Sequence, residues 1–293
     1  MDTKFISKKI MTFIVLLCLS CLMLFSFSGC TMIKRQYSQE LIKAIEANDM
    51  AKLQALVDEG GDLNISPSSV LTDNPEYPPL CLASRKGNYE AVKILVDAGA
   101  DVNIVYCPSA YNYTPLSLVF LYGVYDYNRI EIAKYLIENG ASISHQTRFG
   151  DTVLSRFVLI AYNDEHEESF EFFQYLLEKG AKVEEGPDGH IAFGACRDES
   201  VVFLKYLFEN YEIDVNMRSK TSSQSTLLMQ TMLYSGEPKA CEFLLNHGAD
   251  KTLKDSDGKT AYDMAVEAYE FAVESGNNER MEAFQRIIEL LED

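Results

Sequence analysis

Gly87-Asn88-Tyr89-Glu90-Ala91-Val92-Lys93-Ile94-Leu95-Val96-Asp97-Ala98-Gly99-Ala100-Asp101-Val102-Asn103 is the stretch whose reading decides the fold. Ala91, Ile94, Leu95 and Ala98 recur at helical spacing, which predicts one amphipathic helix. Gly99 is its stop, because only glycine enters the left-handed, helix-ending conformation without a Cβ clash. Asp101-Val102-Asn103 then turns the chain away. A helix of about 10 residues is marginal alone and must stack on something. The sequence supplies copies of itself to stack on.

The ending recurs as Gly61-Asp62-Leu63-Asn64, Gly140-Ala141-Ser142-Ile143-Ser144, Gly180-Ala181-Lys182-Val183, Ile213-Asp214-Val215-Asn216 and Gly248-Ala249-Asp250. Positions 62, 101, 142, 182, 214 and 250 give steps of 39, 41, 40, 32 and 36 residues. A period of that size marks a solenoid of stacked units. The first helix of each unit has its own opening: Pro78-Pro79-Leu80-Cys81-Leu82-Ala83, Tyr113-Thr114-Pro115-Leu116-Ser117-Leu118, Asp151-Thr152-Val153-Leu154-Ser155, Ser225-Thr226-Leu227-Leu228 and Thr260-Ala261-Tyr262-Asp263-Met264-Ala265.

These openings resemble the Thr-Pro-Leu-His-x-Ala motif of ankyrin repeats. The resemblance spans residues 38–292 and implies an all-α fold: an ankyrin-repeat α-solenoid of about seven helix-turn-helix units joined by short β-hairpin loops. The units are read as 38–75, 76–111, 112–149, 150–188, 189–223, 224–256 and 257–292, the first and last acting as caps. Ser38 is the expected N-cap of a helix over Gln39–Ala47. The motif histidine is replaced by Cys81, Ser117, Ser155, Gly194, Met229 and Asp263, which predicts a softer array. Residues 189–218 match worst, with Gly194 and Cys196 expected inside a helix where glycine costs about 1 kcal/mol. Insertions at Gly123–Glu131 and Asn163–Glu168 lengthen the loops of the third and fourth units, and insertions in repeats map to loops.

The N-terminus points to a compartment. Lys4, Lys8 and Lys9 precede an uncharged apolar run from Ile10 to Phe27, the arrangement of a secretory signal peptide. Phe27-Ser28-Gly29-Cys30 is similar to the lipobox of bacterial lipoproteins, with Phe27 where leucine is usual. That resemblance implies a signal peptide over residues 1–29, lipidation of Cys30, and a tether over 30–37. Several acyl chains anchor stably where one does not. Thr31 is not the aspartate that retains enteric lipoproteins at the inner membrane, so the expected site is the outer membrane, with the repeats in the periplasm.

The formal charge of the 293 residues is −18, and removing residues 1–29 takes three lysines and one aspartate with it. Such acidity excludes nucleic acid, whose phosphates need clustered Lys and Arg, and favours a basic protein partner. Cys81, Cys196 and Cys241 stand at small or apolar repeat positions and are expected to pack in the core; with Cys107 they are four cysteines that an oxidising periplasm allows to pair. No CxxC, HExxH, GxSxG or phosphate-cradling loop is present. No metal, cofactor or catalytic residue is therefore expected, and the chain reads as a monomeric non-enzyme. His247, before Gly248, suits a helix C-terminus.

The anomaly is aromatic. Six of 17 tyrosines fall between Tyr106 and Tyr127. By analogy with the family, hairpins and first-helix ends face the concave groove. The expected partner-binding residues are Tyr106, Tyr111, Tyr113, Leu121, Tyr122, Tyr125, Leu159, Ile160, Leu233 and Tyr234, while Arg85 and Lys86 hold the same place in the second unit. Tyrosine gives large contact area at small entropic cost. The expected function is a membrane-anchored module holding a protein partner in its groove. The alternatives are an immunity protein neutralising a periplasmic toxin or enzyme, and a structural envelope lipoprotein.

Overall fold

The computed structural model describes residues 36–65, 77–106, 111–121, 127–161, 167–197, 201–233 and 236–292. Fourteen helices follow one another among these residues as seven successive pairs. They are α1 (36–46) with α2 (Met50–Glu59), α3 (Pro79–Lys86) with α4 (Tyr89–Asp97), and α5 (Pro115–Val119) with α6 (Tyr127–Glu138). Then come α7 (Val153–Ile160) with α8 (Glu167–Glu178), α9 (Ala192–Ala195) with α10 (Val202–Asn210), α11 (Leu227–Gln230) with α12 (Pro238–Asn246), and α13 (Ala261–Ser275) with α14 (Asn278–Glu292). The first helices of the pairs, α3 to α13, stack in one row; α2, α4 and α6 pack in a second. Among the described residues there are no strands; the hairpins are represented by two isolated antiparallel bridges, Tyr106 with Tyr113 and Arg218 with Thr226.

Four of the second helices, α4, α6, α8 and α12, end the same way. Gly99 takes φ +88° and donates to the Val96 carbonyl at 2.9 Å, while Ala100 donates back to Leu95 at 3.0 Å. This double bond satisfies carbonyls the helix leaves without partners, and it needs a positive φ. It repeats at Gly140–Ala141, Gly180–Ala181 and Gly248–Ala249. The residues that follow bind the units together. Asp101 Oδ1 accepts from its own Asn103 N–H at 2.9 Å, shaping the turn. The asparagine carbonyl then reaches the next unit: Asn64 Oδ1 accepts from Asp101 N–H, Asn103 Oδ1 from Ser142 N–H, and Asn216 Oδ1 from Asp250 N–H, each at 2.8 Å. Asn103 Nδ2 also donates to Gly140 O at 2.9 Å. Ser144 and Glu184 stand where the asparagine would be, and among the described residues the Lys182 and Asp214 amides have no such acceptor.

First helices begin with a different device. At Thr114, Thr152, Thr226 and Thr260 the hydroxyl accepts from the N–H three residues on, and the side chain there accepts from the threonine N–H. Ser117, Ser155, Met229 and Asp263 thus serve as the second half of a capping box. The replacements of the motif histidine close the helix start of their own unit. Where Cys81 and Gly194 stand, α3 and α9 have no side-chain cap.

The core runs the length of the stack and is richest in rings at its middle. Phe157 lies 5.4 Å from Phe120, 4.9 Å from Phe172 and 6.4 Å from Phe203, and Phe173 lies 4.9 Å from Phe203. The fourth and fifth pairs, which lack an asparagine link, are therefore joined by phenylalanine packing through α8 and α10. Buried Arg129 adds a clamp: Nη2 donates to Arg85 O at 3.1 Å and Nη1 to Val119 O, so one guanidinium meets the C-terminal ends of α3 and α5. Cations suit helix C-termini.

Four expectations are corrected. Ser38 is not an N-cap: it lies inside α1, and its buried hydroxyl donates to Ile65 O at 2.6 Å. Tyr37 belongs to α1 rather than to the tether and donates to Leu56 O at 2.8 Å. Residues 127–131 are the first turn of α6 and not loop, because Arg129 and Ile130 are buried there. Around Gly194 the helix shrinks to Ala192–Ala195, with Cys196 as its C-cap.

The two kinds of joint differ in strength. Asn103→Ala should lower unfolding stability by about 1 kcal/mol, the worth of an exposed hydrogen bond. Phe203→Ala should cost about 3–5 kcal/mol, because it empties a ring-packed site. Urea unfolding of both variants measures the difference.

Candidate functional site

The hairpin between the second and third pairs is closed by Tyr106 and Tyr113, which exchange main-chain hydrogen bonds of 2.7 and 2.9 Å. Tyr106 is only 6% exposed and forms a small second core with Cys81 and Leu118. Tyr77, Tyr113 and Leu121 pack on it, the Tyr77 ring lying 4.4 Å from that of Tyr106. Arg85 places its guanidinium 4.9 Å from the centre of the Tyr77 ring. Tyr106 is thus placed as support for the hairpin and not on its surface.

The surface aromatics are one step further out. Tyr111 stacks on Tyr113 with ring centres 5.6 Å apart, and Phe149 of the next hairpin lies 5.4 Å from Tyr111. Phe149 is 54% exposed. The two hairpins are tied by Arg148 N–H donating to Tyr111 O at 3.1 Å and by His145 Nε2 at 2.6 Å from Asn112 O. Asn112 takes φ +57°, which asparagine tolerates better than most residues. The result is a half-exposed strip, Tyr113–Tyr111–Phe149, across two hairpin tips. Phe149 escaped the sequence reading; its signal was a lone large apolar residue beside Gly150 in a turn.

A cleft of about 320 Å³ begins where the strip ends. Phe149 and Leu159 line one side, Pro187 and His190 the other, with Arg156 and Arg197 among its polar groups. Arg156 Nη2 donates to the buried Asp151 carboxylate at 2.7 Å, and the Thr147 hydroxyl donates to the same oxygen at 3.1 Å. His190 Nδ1 accepts from Ala192 N–H at 3.0 Å, and burial holds this histidine below the usual range.

The expected site residues are thus partly gathered. Tyr106, Tyr111, Tyr113 and Leu121 form one group, and Leu159 enters the cleft beside Phe149. Ile160 is half-buried against the main core, and Leu233 is half-buried at the end of α11, well along the stack. Cys30, Tyr122, Tyr125 and Tyr234 lie outside the described residues, as do Cys107 and His166. His247 caps α12, its Nδ1 2.7 Å from Phe243 O.

Cys81, Cys196 and Cys241 are buried free thiols. Burial pushes all three up, Cys241 to about 12. Among the described residues no group of three or more His, Cys, Asp or Glu is placed to hold a metal ion, and no helix is long and apolar enough to cross a membrane.

With this geometry in hand, comparison with known proteins is informative about the fold. Residues 41–147 match the family model for ankyrin repeats (3 copies). The fold is an ankyrin-repeat solenoid. The human ASB11 ankyrin repeat domain aligns at 20% identity with TM-score 0.56, over 76% of this chain and 90% of that one. A chain from the Bdellovibrio bacteriovorus predatory endopeptidase Bd0816 in complex with immunity protein Bd3460 aligns at 24% identity with TM-score 0.48, over 71% of this chain and 96% of that one. No curated protein matches in sequence. Ankyrin repeats mediate protein–protein interaction, and the fold typically serves as a non-catalytic scaffold.

Because the thiolate is the reactive form, Cys81, Cys196 and Cys241 should stay unmodified by Ellman's reagent in the folded protein and react within minutes in guanidinium chloride. Reaction without denaturant would contradict their placement.

Proposed function

We propose that this chain is a membrane-tethered, non-catalytic binding module that holds a protein partner against the strip Tyr113–Tyr111–Phe149 and the groove beside it. The observation that carries the reading is a row of ring contacts at the hairpin tips, Tyr113–Tyr111–Phe149, with Phe149 exposed and the two tyrosines partly so. In a solenoid with no such role these tips would be polar, since exposed contiguous apolar surface marks an interaction site. Tyrosine and phenylalanine anchors placed on a preordered backbone lose little entropy on binding. The formal charge of −18 favours a partner with a basic face.

The tether is the acylated Cys30, with residues 1–29 removed as a signal peptide. The destination is the outer membrane, with the repeats in the periplasm. Support comes from the basic start, the apolar run from Ile10 to Phe27 and the small residues before Cys30. On this reading residues 38–292 form seven units, with the first and last serving as the caps of a monomer.

Co-purification from crosslinked cells tests the binding reading. Tyr111→Ala with Phe149→Ala should reduce recovery of the major partner about tenfold or more, with far-UV circular dichroism unchanged; full recovery would overturn it. Cys30→Ser should leave the protein at precursor mass and free of labelled palmitate. Labelling of that variant would overturn the anchor.

A further inference from the structure

The joint between the fourth and fifth pairs is built unlike its neighbours. Main-chain bonds tie successive hairpins elsewhere: Arg148 to Tyr111, Lys220 to Asp188 and Ser256 to Ser223. Among the described residues none ties residues 145–151 to residues 184–190, and the asparagine link to the fifth pair is missing at Glu184. The phenylalanines of α7, α8 and α10 hold this joint from the core side. On the hairpin side the two loops meet by contact alone, a Cβ on Gly150 standing 3.6 Å from Gly186 O, and the cleft lies beside that contact.

Its lining is specific. The Phe149 ring forms an exposed lip. Leu159 and Pro187 supply apolar walls, and the floor reaches Gly194, where an added Cβ would already stand 3.4 Å from Val158 and 3.5 Å from Leu159. Arg156 is held in place by Asp151, which is itself buried, so a planar guanidinium is fixed beside the walls with its charge balanced. Rings stack on guanidinium planes and on other rings, and the charge balance within the pocket gives no preference for a buried acid or base. Beyond the lining, Glu184 and Glu185 stand on the same hairpin, Glu185 with the Lys182 ammonium 4.0 Å away, in a chain of formal charge −18.

We infer that this cleft receives one aromatic side chain of a protein partner, from a segment whose flanking residues are basic. The inference rests on the binding reading above and gives that reading an anchor point. The volume of about 320 Å³ lies at the low end of ligand pockets, suited to a single large side chain. The ring slides between Phe149 and the Arg156 plane, and the flanking cations meet the acidic hairpin.

The protein contains no tryptophan, so an indole probe is seen against tyrosine alone when excited at the red edge. The full chain is titrated with the peptides Lys-Trp-Lys and Glu-Trp-Glu while indole emission is followed. Lys-Trp-Lys should bind with a blue shift, and Glu-Trp-Glu about fivefold more weakly or worse. Phe149→Ala should weaken Lys-Trp-Lys about fivefold, the worth of one ring contact. Gly194→Leu should abolish the shift, with circular dichroism confirming a folded protein. Phe149 is exposed, so its variant keeps the test open if Gly194→Leu does not fold. Absence of a blue shift, equal binding of Glu-Trp-Glu, or indifference to Phe149→Ala overturns the proposal. The two readings also fail separately. If Tyr113→Ala weakens the peptide as much as Phe149→Ala does, the strip and not the cleft is the seat, and only the cleft proposal falls. If the peptide behaves as expected while partner recovery ignores Tyr111, the strip reading falls and the cleft stands.

Discussion

The hydrogen bond from the turn N–H of one unit to the asparagine carbonyl of the unit before it sets the spacing of the stack. Asn64, Asn103 and Asn216 each make it at 2.8 Å, and Asn103 adds a second bond to Gly140 O. Each helix pair is too short to stand alone, so the array exists only if neighbours are held in register. The asparagine does this because its preceding turn, shaped by Asp62, Asp101 or Asp214, points its side chain at the next unit. Where the residue changes to Ser144 and Glu184, the register must come from elsewhere.

It comes from rings. Phe157 and Phe173 pack on Phe203 across the joint between the fourth and fifth pairs, at centre distances of 6.4 and 4.9 Å, and Phe120 packs on Phe157 at 5.4 Å across the joint before it. A hydrogen bond exposed to water contributes about 1 kcal/mol net, while a buried ring contributes several. The exchange therefore loses no stability but moves the fastening from the hairpin side to the core side. Helix starts are managed independently: Ser117, Ser155, Met229 and Asp263 close capping boxes with their threonines, so loss of the motif histidine leaves the unit starts intact.

Much of the scaffold was legible in the sequence because its signals are local. A glycine stop and a threonine-led opening each act within a few residues, and both recur. The weak match at residues 189–218 was legible too, and it coincides with the unlinked joint. What was not legible depended on distance. Tyr106 reads as one more tyrosine in a cluster, but its pairing with Tyr113 turns it onto Cys81 and Leu118. Arg129 reads as part of an insertion, yet it meets carbonyls 44 and 10 residues away. Phe149 carries no motif; only the stacking of two hairpins brings it to Tyr111.

The asparagine links make a direct claim about single amides. Native-state hydrogen exchange followed by NMR should find the N–H groups of Asp101, Ser142 and Asp250 protected, and those of Lys182 and Asp214 exchanging at least about tenfold faster. Equal protection of Lys182 and Asp214 would contradict the account, since it would mean that the joints on either side of the fourth pair carry a hairpin-side link after all.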